Sequence, residues 1–211
     1  MKTKEFTISI IFIVVSLLIH RLFPADGIFQ QIIATLVFFV ALPLLFNKFI
    51  LKKEVREFGF GLFDYRQGLL WSIFSLLIVG AVFFIISSYS EFLNNYTVPV
   101  YITEKFSNFI IYELFLIIPF VFVYEFYFRG FVLAILRDKI GYWSILVQSL
   151  VFLILVLIGG NAVGFTQFIP YLVFAPFAGI IAYKSRSIIY SAASQFLVLF
   201  FLSLVIIKRI G

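Results

Sequence analysis

The chain has 211 residues, of which 64% are hydrophobic and 12% are charged, and its formal net charge is +6. This composition excludes a soluble globular domain, which needs far more polar residues to cover its surface. The absence of cysteine excludes disulfides and thiolate metal sites, and the single histidine, His20, excludes a histidine-rich metal site. His20 follows the first apolar run beside Arg21, where we expect an interfacial or solvated side chain. We assign the positive charge to basic residues that flank membrane spans, and we predict no nucleic-acid partner.

Seven apolar runs are long enough for membrane-spanning helices, since about 20 apolar residues cross a bilayer as a helix. The predicted spans cover residues 6–22, 28–46, 68–88, 109–136, 143–159, 163–183 and 187–207. The first run resembles a secretory leader but lacks a small-residue cleavage pattern, so we interpret it as a retained span. The fourth run is too long for one perpendicular span, and we expect it to tilt, to kink at Pro119 or to extend beyond the bilayer.

Basic residues are concentrated in the termini and loops on one side of these spans. With a cytoplasmic N-terminus, that side holds the basic loop 48–67, whereas the opposite side holds few basic residues. This asymmetry predicts an integral membrane protein with a cytoplasmic N-terminus, and we expect a prokaryotic plasma membrane. Residues 52–60 predict a short amphipathic helix on the cytoplasmic surface, followed by a turn at Gly59 or Gly61.

The most informative feature of the chain is a pair of opposite charges inside the fourth span. Glu125 and Arg129 belong to the sequence Tyr-Glu-Phe-Tyr-Phe-Arg-Gly at residues 124–130. An ionised side chain at the bilayer centre costs roughly 2.5–3.5 kcal/mol, so each of these charges needs a partner. Four residues apart on a helix, the two side chains share one face and can form an ion pair. Two interpretations remain open, a structural clamp between helices and part of an intramembrane active site.

Few other polar residues are embedded in the predicted spans. They are Gln148, Ser149, Asn161, Gln167, Ser191, Ser194 and Gln195. Isolated polar residues in membrane helices most often join helices through hydrogen bonds worth about 1 kcal/mol or less. Because several spans carry them, these side chains could instead meet around one buried cavity. Glu113, about three turns before Glu125, is expected at the interfacial end of its span.

Residues 124–131 resemble the first motif of the CPBP family, the CAAX-protease and bacteriocin-processing membrane proteins, which are related to the Ras-converting prenyl endopeptidases and are also labelled Abi proteins. The usual motif is a Glu-Glu pair, three residues, and then Arg-Gly. Arg129 fixes the register, so that Glu125 matches the second glutamate and Tyr124 stands in place of the first.

The resemblance continues toward the C-terminus. Residues 148–152 are similar to the start of the second family motif, in which Val156 occupies the position of a histidine. Residues 178–189 are similar to the third span and the turn after it. Gln195 stands where the family has another histidine, and Leu199 stands where it has Asn or Asp.

The apolar runs predict an all-α, polytopic membrane bundle of about seven helices, and the lack of an internal repeat predicts one membrane domain, 1–211. The resemblance implies a CPBP-like core in 109–207, preceded by N-terminal helices and an amphipathic loop in 1–108. In the family, a glutamate and two histidines activate water for peptide hydrolysis, with or without metal assistance. Val156 can neither bind metal nor transfer protons, and Gln195 cannot act as a base. We therefore expect no cofactor and no metal ligand, since a divalent metal would accompany only intact protease chemistry.

The preferred prediction is a catalytically degenerate CPBP-like protein that binds a membrane partner or peptide. The alternative is an active intramembrane endopeptidase that uses Glu125, and a transporter or assembly factor is a third hypothesis. The candidate catalytic residues are Glu125 and Arg129. The candidate cavity or partner-binding residues are Tyr124, Gln148, Ser149 and Gln195. The expected partners are the lipid bilayer and a membrane peptide or protein.

Overall fold

The computed structural model describes the backbone of residues 3–24, 26–89, 92, 98–159 and 162–210. Side chains are described for all of these except 28, 89, 159, 162–168, 209 and 210. The described chain is helical and contains no strand. Its helices are α1 (Thr3–Leu22), α2 (28–51), α3 (Tyr65–Tyr89), α4 (Val100–Glu104), α5 (Phe106–Ile140), α6 (Trp143–Gly159), α7 (Ala162–Ser185) and α8 (Ile188–Ile210).

Five of these helices, α1, α2, α3, α5 and α8, are long and apolar enough to cross a membrane. Shorter apolar segments, Trp143–Ile158 and Ile169–Ser185, belong to α6 and α7. Together the seven helices correspond to the seven predicted spans. The predicted all-α, polytopic membrane bundle is therefore confirmed for the part of the chain that the structure describes.

Helix α5 is the longest helix of the described chain, with 35 residues. At about 1.5 Å per residue it is roughly 52 Å long, well above the hydrocarbon thickness of about 30 Å, so it must tilt or extend beyond the core. Two π-helical turns interrupt it, Glu113–Ile117 and Phe126–Val132. The first turn lies immediately before the segment that contains Pro119, whose nitrogen has no proton for the helical ladder.

The second π-helical turn of α5, Phe126–Val132, lies at the centre of the bundle, and all seven of its residues are buried. The Tyr127 hydroxyl is 2.7 Å from Ser16 Oγ on α1, and its ring stacks on Phe39 of α2 with centroids 4.4 Å apart. Phe128 packs edge-on against Phe152 of α6 at 5.0 Å. Because all seven side chains are covered by protein, this segment is surrounded by other helices.

The loop after α2 differs from its prediction as a surface helix. It forms a single 3-10 turn, Val55–Phe58, and the Phe58 side chain is only 2% exposed. The predicted turn occurs at Gly59, which has φ +90°. The expected short helix is thus a single 3-10 turn within 52–60, in which Val55, Arg56 and Glu57 are exposed. Phe58 anchors this turn to the bundle, because it packs between Phe126 and Phe131 of α5.

Gly130 explains how this loop can lie so close to α5. A Cβ atom at Gly130 would lie 2.7 Å from the carbonyl oxygen of Phe58, closer than real Cβ contacts allow. The loop also fixes the start of α8, since Ile188 N–H donates to the Gly59 carbonyl at 3.1 Å. The Arg-Gly pair of residues 129–130 thus combines a buried charge with a close backbone contact.

Candidate functional site

Glu125 and Arg129 form the predicted ion pair at the centre of the bundle. Arg129 Nη1 is 3.4 Å from Glu125 Oε1, and the two side chains are 1% and 0% exposed. Glu125 Oε2 also accepts a hydrogen bond of 2.5 Å from the Ser191 hydroxyl on α8. The carboxylate therefore has a cation on its own helix and a hydroxyl donor on another, which joins α5 to α8.

The guanidinium of Arg129 extends the same network to α6 and α7. Its Nη2 donates to the Ala175 carbonyl at 3.3 Å, and Gln148 Nε2 donates to the same oxygen at 3.2 Å. The Arg129 guanidinium carbon lies 5.8 Å from the centre of the Phe152 ring. A Cβ atom at Gly179 would lie 2.7 Å from Gln148 Nε2, so this glycine lets α6 approach α7 closely enough for the shared contact.

This buried network, formed by Glu125, Arg129, Gln148, Ser191 and the Ala175 carbonyl, is not fully satisfied. Among the described residues, Glu125 Oε1, Arg129 Nε and Gln148 Oε1 have no hydrogen-bond partner and are shielded from solvent. Leaving a buried polar atom unpaired costs about 1–3 kcal/mol. The network therefore joins four helices through charged and amide groups, with some of its polar atoms unmatched.

A cavity of about 530 Å³ lies between α1, α2, α5 and α6. It is lined by His20, Arg21, Phe23, Gln31, Ile32, Ala34, Thr35, Leu116, Ile117, Phe120, Tyr124, Leu155 and Val156. Two of these residues, Tyr124 and Val156, occupy positions at which the family resemblance expects a glutamate and a histidine. None of the network side chains lines the cavity. Tyr124 and Glu125 are neighbours in the chain, yet they face different surroundings.

The remaining candidate residues, Gln148, Ser149 and Gln195, do not line the cavity. Gln148 is fully buried in the network. Ser149 is half-buried, donates to the Ile145 carbonyl on its own helix at 2.8 Å and accepts a hydrogen bond from Gln148. Gln195 is 2% exposed, and its Oε1 has no hydrogen-bond partner among the described residues. The six candidates therefore do not converge on one cavity.

Other polar residues of the predicted spans lie beside the cavity, inside the bundle or outside the described residues. Glu113 is only 1% exposed, so its carboxyl group is covered by protein. His20 lies in the last turn of α1 and lines the cavity, and its Nε2 is 3.2 Å from Thr35 Oγ1. Asn161 and the side chain of Gln167 lie outside the described part of the chain.

Sequence reasoning did not assign Ser191 or the Ala175 carbonyl to the site. The serines of α8 were a signal for Ser191, since Ser191 and Ser194 are three residues apart and therefore neighbours on the helix surface. A backbone carbonyl such as that of Ala175 leaves no comparable signal in a sequence. The polar residues that line the cavity, His20, Arg21, Gln31 and Thr35, were not predicted to lie together, because they come from two different helices, α1 and α2.

The side chains at the positions of the family's catalytic residues do not fit a catalytic metal. Such a site needs about three protein ligands, and Val156 has no donor atom. Among the described residues no group of three or more His, Cys, Asp or Glu side chains could hold a metal ion. The expectation that the protein uses no cofactor stays a prediction.

Part of the chain matches a known protein family. Residues 106–201 match the family described as type II CAAX prenyl endopeptidase Rce1-like. The resemblance of the C-terminal half to the CPBP family is thereby confirmed. The matching segment contains all the residues of the buried network as well as Tyr124 and Val156. No curated protein and no solved structure is significantly similar to the chain.

Proposed function

We propose that this integral membrane protein is a non-hydrolysing counterpart of the CPBP-type endopeptidases, and that it binds a membrane peptide or protein at the cavity beside Tyr124 and Val156. The observation that carries this proposal is that the buried network and the cavity are separate. The retained charges, Glu125 and Arg129, belong to the buried network, whereas the cavity has a tyrosine and a valine at the positions where the family resemblance expects catalytic groups.

The environment of Glu125 supports a structural role. A general base must reach the proton that it abstracts, directly or through one water molecule. Glu125 is 0% exposed and does not line the cavity, and both of its oxygens face protein groups, Arg129 and Ser191. In this arrangement the carboxylate stabilises the packing of four helices, which is the clamp interpretation of the motif.

The form of the cavity supports binding. Its volume lies within the range of about 300–1,000 Å³ that is typical of ligand pockets. Ile32 on one wall and Leu116 on another are 39% and 41% exposed, so a partner within the bilayer can approach these walls from the side. The apolar replacement at Val156 favours contact with an apolar segment over proton transfer.

The alternative, an endopeptidase that uses Glu125, has one observation in its favour. Glu125 Oε1 has no hydrogen-bond partner among the described residues, although it faces Arg129. A rearrangement that exposed this oxygen would give a single carboxylate base without the two family histidines.

A cleavage assay separates the two functions. The wild type and Glu125→Gln are reconstituted in nanodiscs with prenylated C-terminal peptides and with leader-containing precursor peptides, and new termini are detected by mass spectrometry. We expect no time-dependent product from either protein. Cleavage by the wild type that is lost in Glu125→Gln, with the variant still folded by thermal melt, would overturn the proposal in favour of the alternative.

Photo-crosslinking tests the binding part. Leu116, which lines the cavity, is replaced by p-benzoylphenylalanine, and the adjacent Phe115, which is 76% exposed, receives the same replacement as a matched control. Irradiation of native membranes should give a discrete peptide or protein adduct at 116 that is absent at 115. The same adducts at both positions, or none at 116, would contradict binding at the cavity.

A further inference from the structure

A second, smaller cavity lies where the loop after α2, the C-terminal part of α5 and the turn between α7 and α8 meet. Three arginines line it, Arg129, Arg137 and Arg186, and we call it the arginine cavity. Its other polar lining residues are Glu57 and Ser187. The arginine cavity shares no lining residue with the cavity beside Tyr124 and Val156.

The arginine cavity reaches from the buried network toward the membrane surface. Arg129 is 3% exposed, whereas Arg137 is half-buried in the last turn of α5, about 12 Å further along the helix axis. Lys53 pairs with Asp138, beside Arg137, so the loop after α2 covers this end of α5. This end lies on the side of the bundle that we predict to be cytoplasmic.

The cations of the arginine cavity are only partly compensated. Arg129 is paired with Glu125, yet its Nε has no hydrogen-bond partner among the described residues. Within the described part of the chain, neither Arg137 nor Arg186 forms an ion pair. The only carboxylate of the lining belongs to Glu57, which also caps the 3-10 turn. Two unpaired cations therefore face one anion, and one positive charge remains.

Arg186 has a backbone conformation that its residue type disfavours. It follows α7 with φ +56°, in the left-handed region where glycine is the usual residue after a helix. The fold therefore favours glycine at this position. What arginine adds is an exposed guanidinium at the arginine cavity.

The start of α8 adds further donors to the arginine cavity. Ser187 immediately precedes the helix, and its Oγ accepts from Ile189 N–H at 3.2 Å, so the hydroxyl proton is left to donate. The N-terminus of such a long helix carries about half a unit of positive charge. Guanidinium groups, a hydroxyl and a helix N-terminus together are the donors that bind phosphate groups in proteins.

The size of the arginine cavity limits how much of a ligand can enter. Its volume is about 10 Å³, roughly the space that one water molecule needs. One oxygen atom of a phosphate group fits inside, whereas the phosphorus and the other oxygens must stay at the mouth, beside Arg137 and Arg186. The remaining positive charge matches the single negative charge of a phosphodiester.

We propose that the arginine cavity binds a phosphate group, with one oxygen directed toward Arg129 and the others held by Arg137 and Arg186. The phosphate belongs to a lipid headgroup at the membrane surface or to a soluble phosphate compound, since both present the same oxygens. A bound phosphate joins three segments of the chain and should stabilise the bundle. This site goes beyond the proposed function and does not depend on it.

Native mass spectrometry of the purified full-length protein tests the lipid source. The ligand is dioctanoyl phosphatidylglycerol, and dioctanoylglycerol, which has the same chains without the phosphate, is the matched control. We expect saturable binding of one phosphatidylglycerol, about tenfold tighter than that of dioctanoylglycerol, as a charge-assisted hydrogen bond provides.

Inorganic phosphate tests the soluble source. Its binding should appear as a saturable rise in melting temperature that sodium chloride of equal ionic strength does not give. A rise with phosphate and no preference for phosphatidylglycerol assigns the site to soluble phosphates, and a preference without the rise assigns it to lipid. The absence of both effects overturns the phosphate site.

Three variants locate the phosphate. Arg186→Gly removes a cation but suits the left-handed backbone, so the variant should melt no lower than the wild type while its affinity for the phosphate ligand falls about tenfold. Arg137→Gln should weaken binding to a similar extent. Lys139→Gln is the matched control, because Lys139 is an exposed cation in the same turn as Arg137 that does not line the arginine cavity.

The control separates a defined site from general attraction to a basic surface. Binding should be unchanged in Lys139→Gln. An equal loss in Lys139→Gln and Arg186→Gly, or wild-type affinity in both Arg186→Gly and Arg137→Gln, would overturn the assignment of the phosphate to the arginine cavity. The crosslinking and cleavage assays of the proposed function are decided separately from these results.

Discussion

At the residue scale, the pairing of Glu125 with Arg129 determines whether either charge can remain inside the bundle. Each side chain is almost fully buried, and each has the other as its nearest opposite charge. A buried ion pair adds little net stability compared with an apolar pair, but removal of one partner leaves an uncompensated buried charge. The energetic value of the pair is therefore visible only when the single and double variants are compared.

Replacement of only one member of the pair should be more damaging than replacement of both. Arg129→Ala is expected to lower the free energy of unfolding by about 3–5 kcal/mol, because it leaves Glu125 buried without a cation. The double variant with Glu125→Gln and Arg129→Gln should lose less, because no net charge remains. Thermal melts in detergent measure both variants, and a double variant less stable than Arg129→Ala would reject the clamp.

An ion pair at the surface of the bundle provides the control for this comparison. Lys53 Nζ lies 3.2 Å from Asp138 Oδ2, and the side chains are 26% and 31% exposed. Lys53→Ala should change stability by about 1 kcal/mol or less, since exposed pairs contribute little. A loss as large as that of Arg129→Ala would show that burial does not distinguish the two pairs.

Ser191→Ala tests the connection of the network to α8. The change removes the hydroxyl donor of Glu125 Oε2 and should cost about 1–3 kcal/mol, because the carboxylate oxygen stays buried. The control is Ser88→Ala, which should be nearly neutral because the exposed Ser88 hydroxyl donates to the Phe84 carbonyl of its own helix. Equal melting temperatures for the wild type and Ser191→Ala would show that the contact does not stabilise the bundle.

At the element scale, the close approach of the 3-10 turn Val55–Phe58 to α5 depends on Gly130. An added Cβ would meet the Phe58 carbonyl oxygen, which belongs to the backbone and cannot rotate away. The turn, α5 and the start of α8 would have to move together, because Ile188 is bonded to Gly59.

Gly130→Ala should therefore destabilise the protein by about 1–3 kcal/mol, the usual cost of overpacking a core. Gly80→Ala is the matched control, since a Cβ atom at Gly80 of α3 meets nothing within 4 Å. That variant should be neutral or slightly more stable, given the better helix propensity of alanine. Melting temperatures of the two variants test this difference. If Gly130→Ala melts as high as Gly80→Ala, the loop does not pack closely on α5.

Predictions of elements from the sequence differed in success for a physical reason. Long apolar runs must be helical in lipid whatever surrounds them, so α1 and α8 could be predicted from hydropathy alone. The segment 52–60 was less constrained, because its alternation of charged and apolar residues suits a membrane surface as well as a bundle. Only the contact of Phe58 with Phe126 and Phe131 decided its position.

At the scale of the whole molecule, the distribution of basic residues predicts the orientation in the membrane. The ion pair of Lys53 with Asp138 brings the loop after α2 and the end of α5 to one side of the bundle. Asp26 lies in the connection between α1 and α2, on the side of the bundle opposite to Lys53 and Asp138. We expect the first side to be cytoplasmic.

Labelling of single cysteines with an impermeant maleimide checks this orientation, and the absence of native cysteine removes background. In intact bacterial cells expressing the protein, Asp26→Cys should react and Asp138→Cys should react only after lysis. The opposite pattern would invert the protein in the membrane and overturn the prediction of a cytoplasmic N-terminus.

The sequence by itself determined the membrane bundle, the ion pair of Glu125 with Arg129 and the resemblance to the CPBP family. These follow from local properties, because hydropathy and a four-residue spacing do not depend on distant contacts. Only the tertiary structure decided that Tyr124 and Val156 line a cavity while Glu125 turns to Ser191. Adjacent residues on a helix point in different directions, and what each one meets depends on helices far away in the chain.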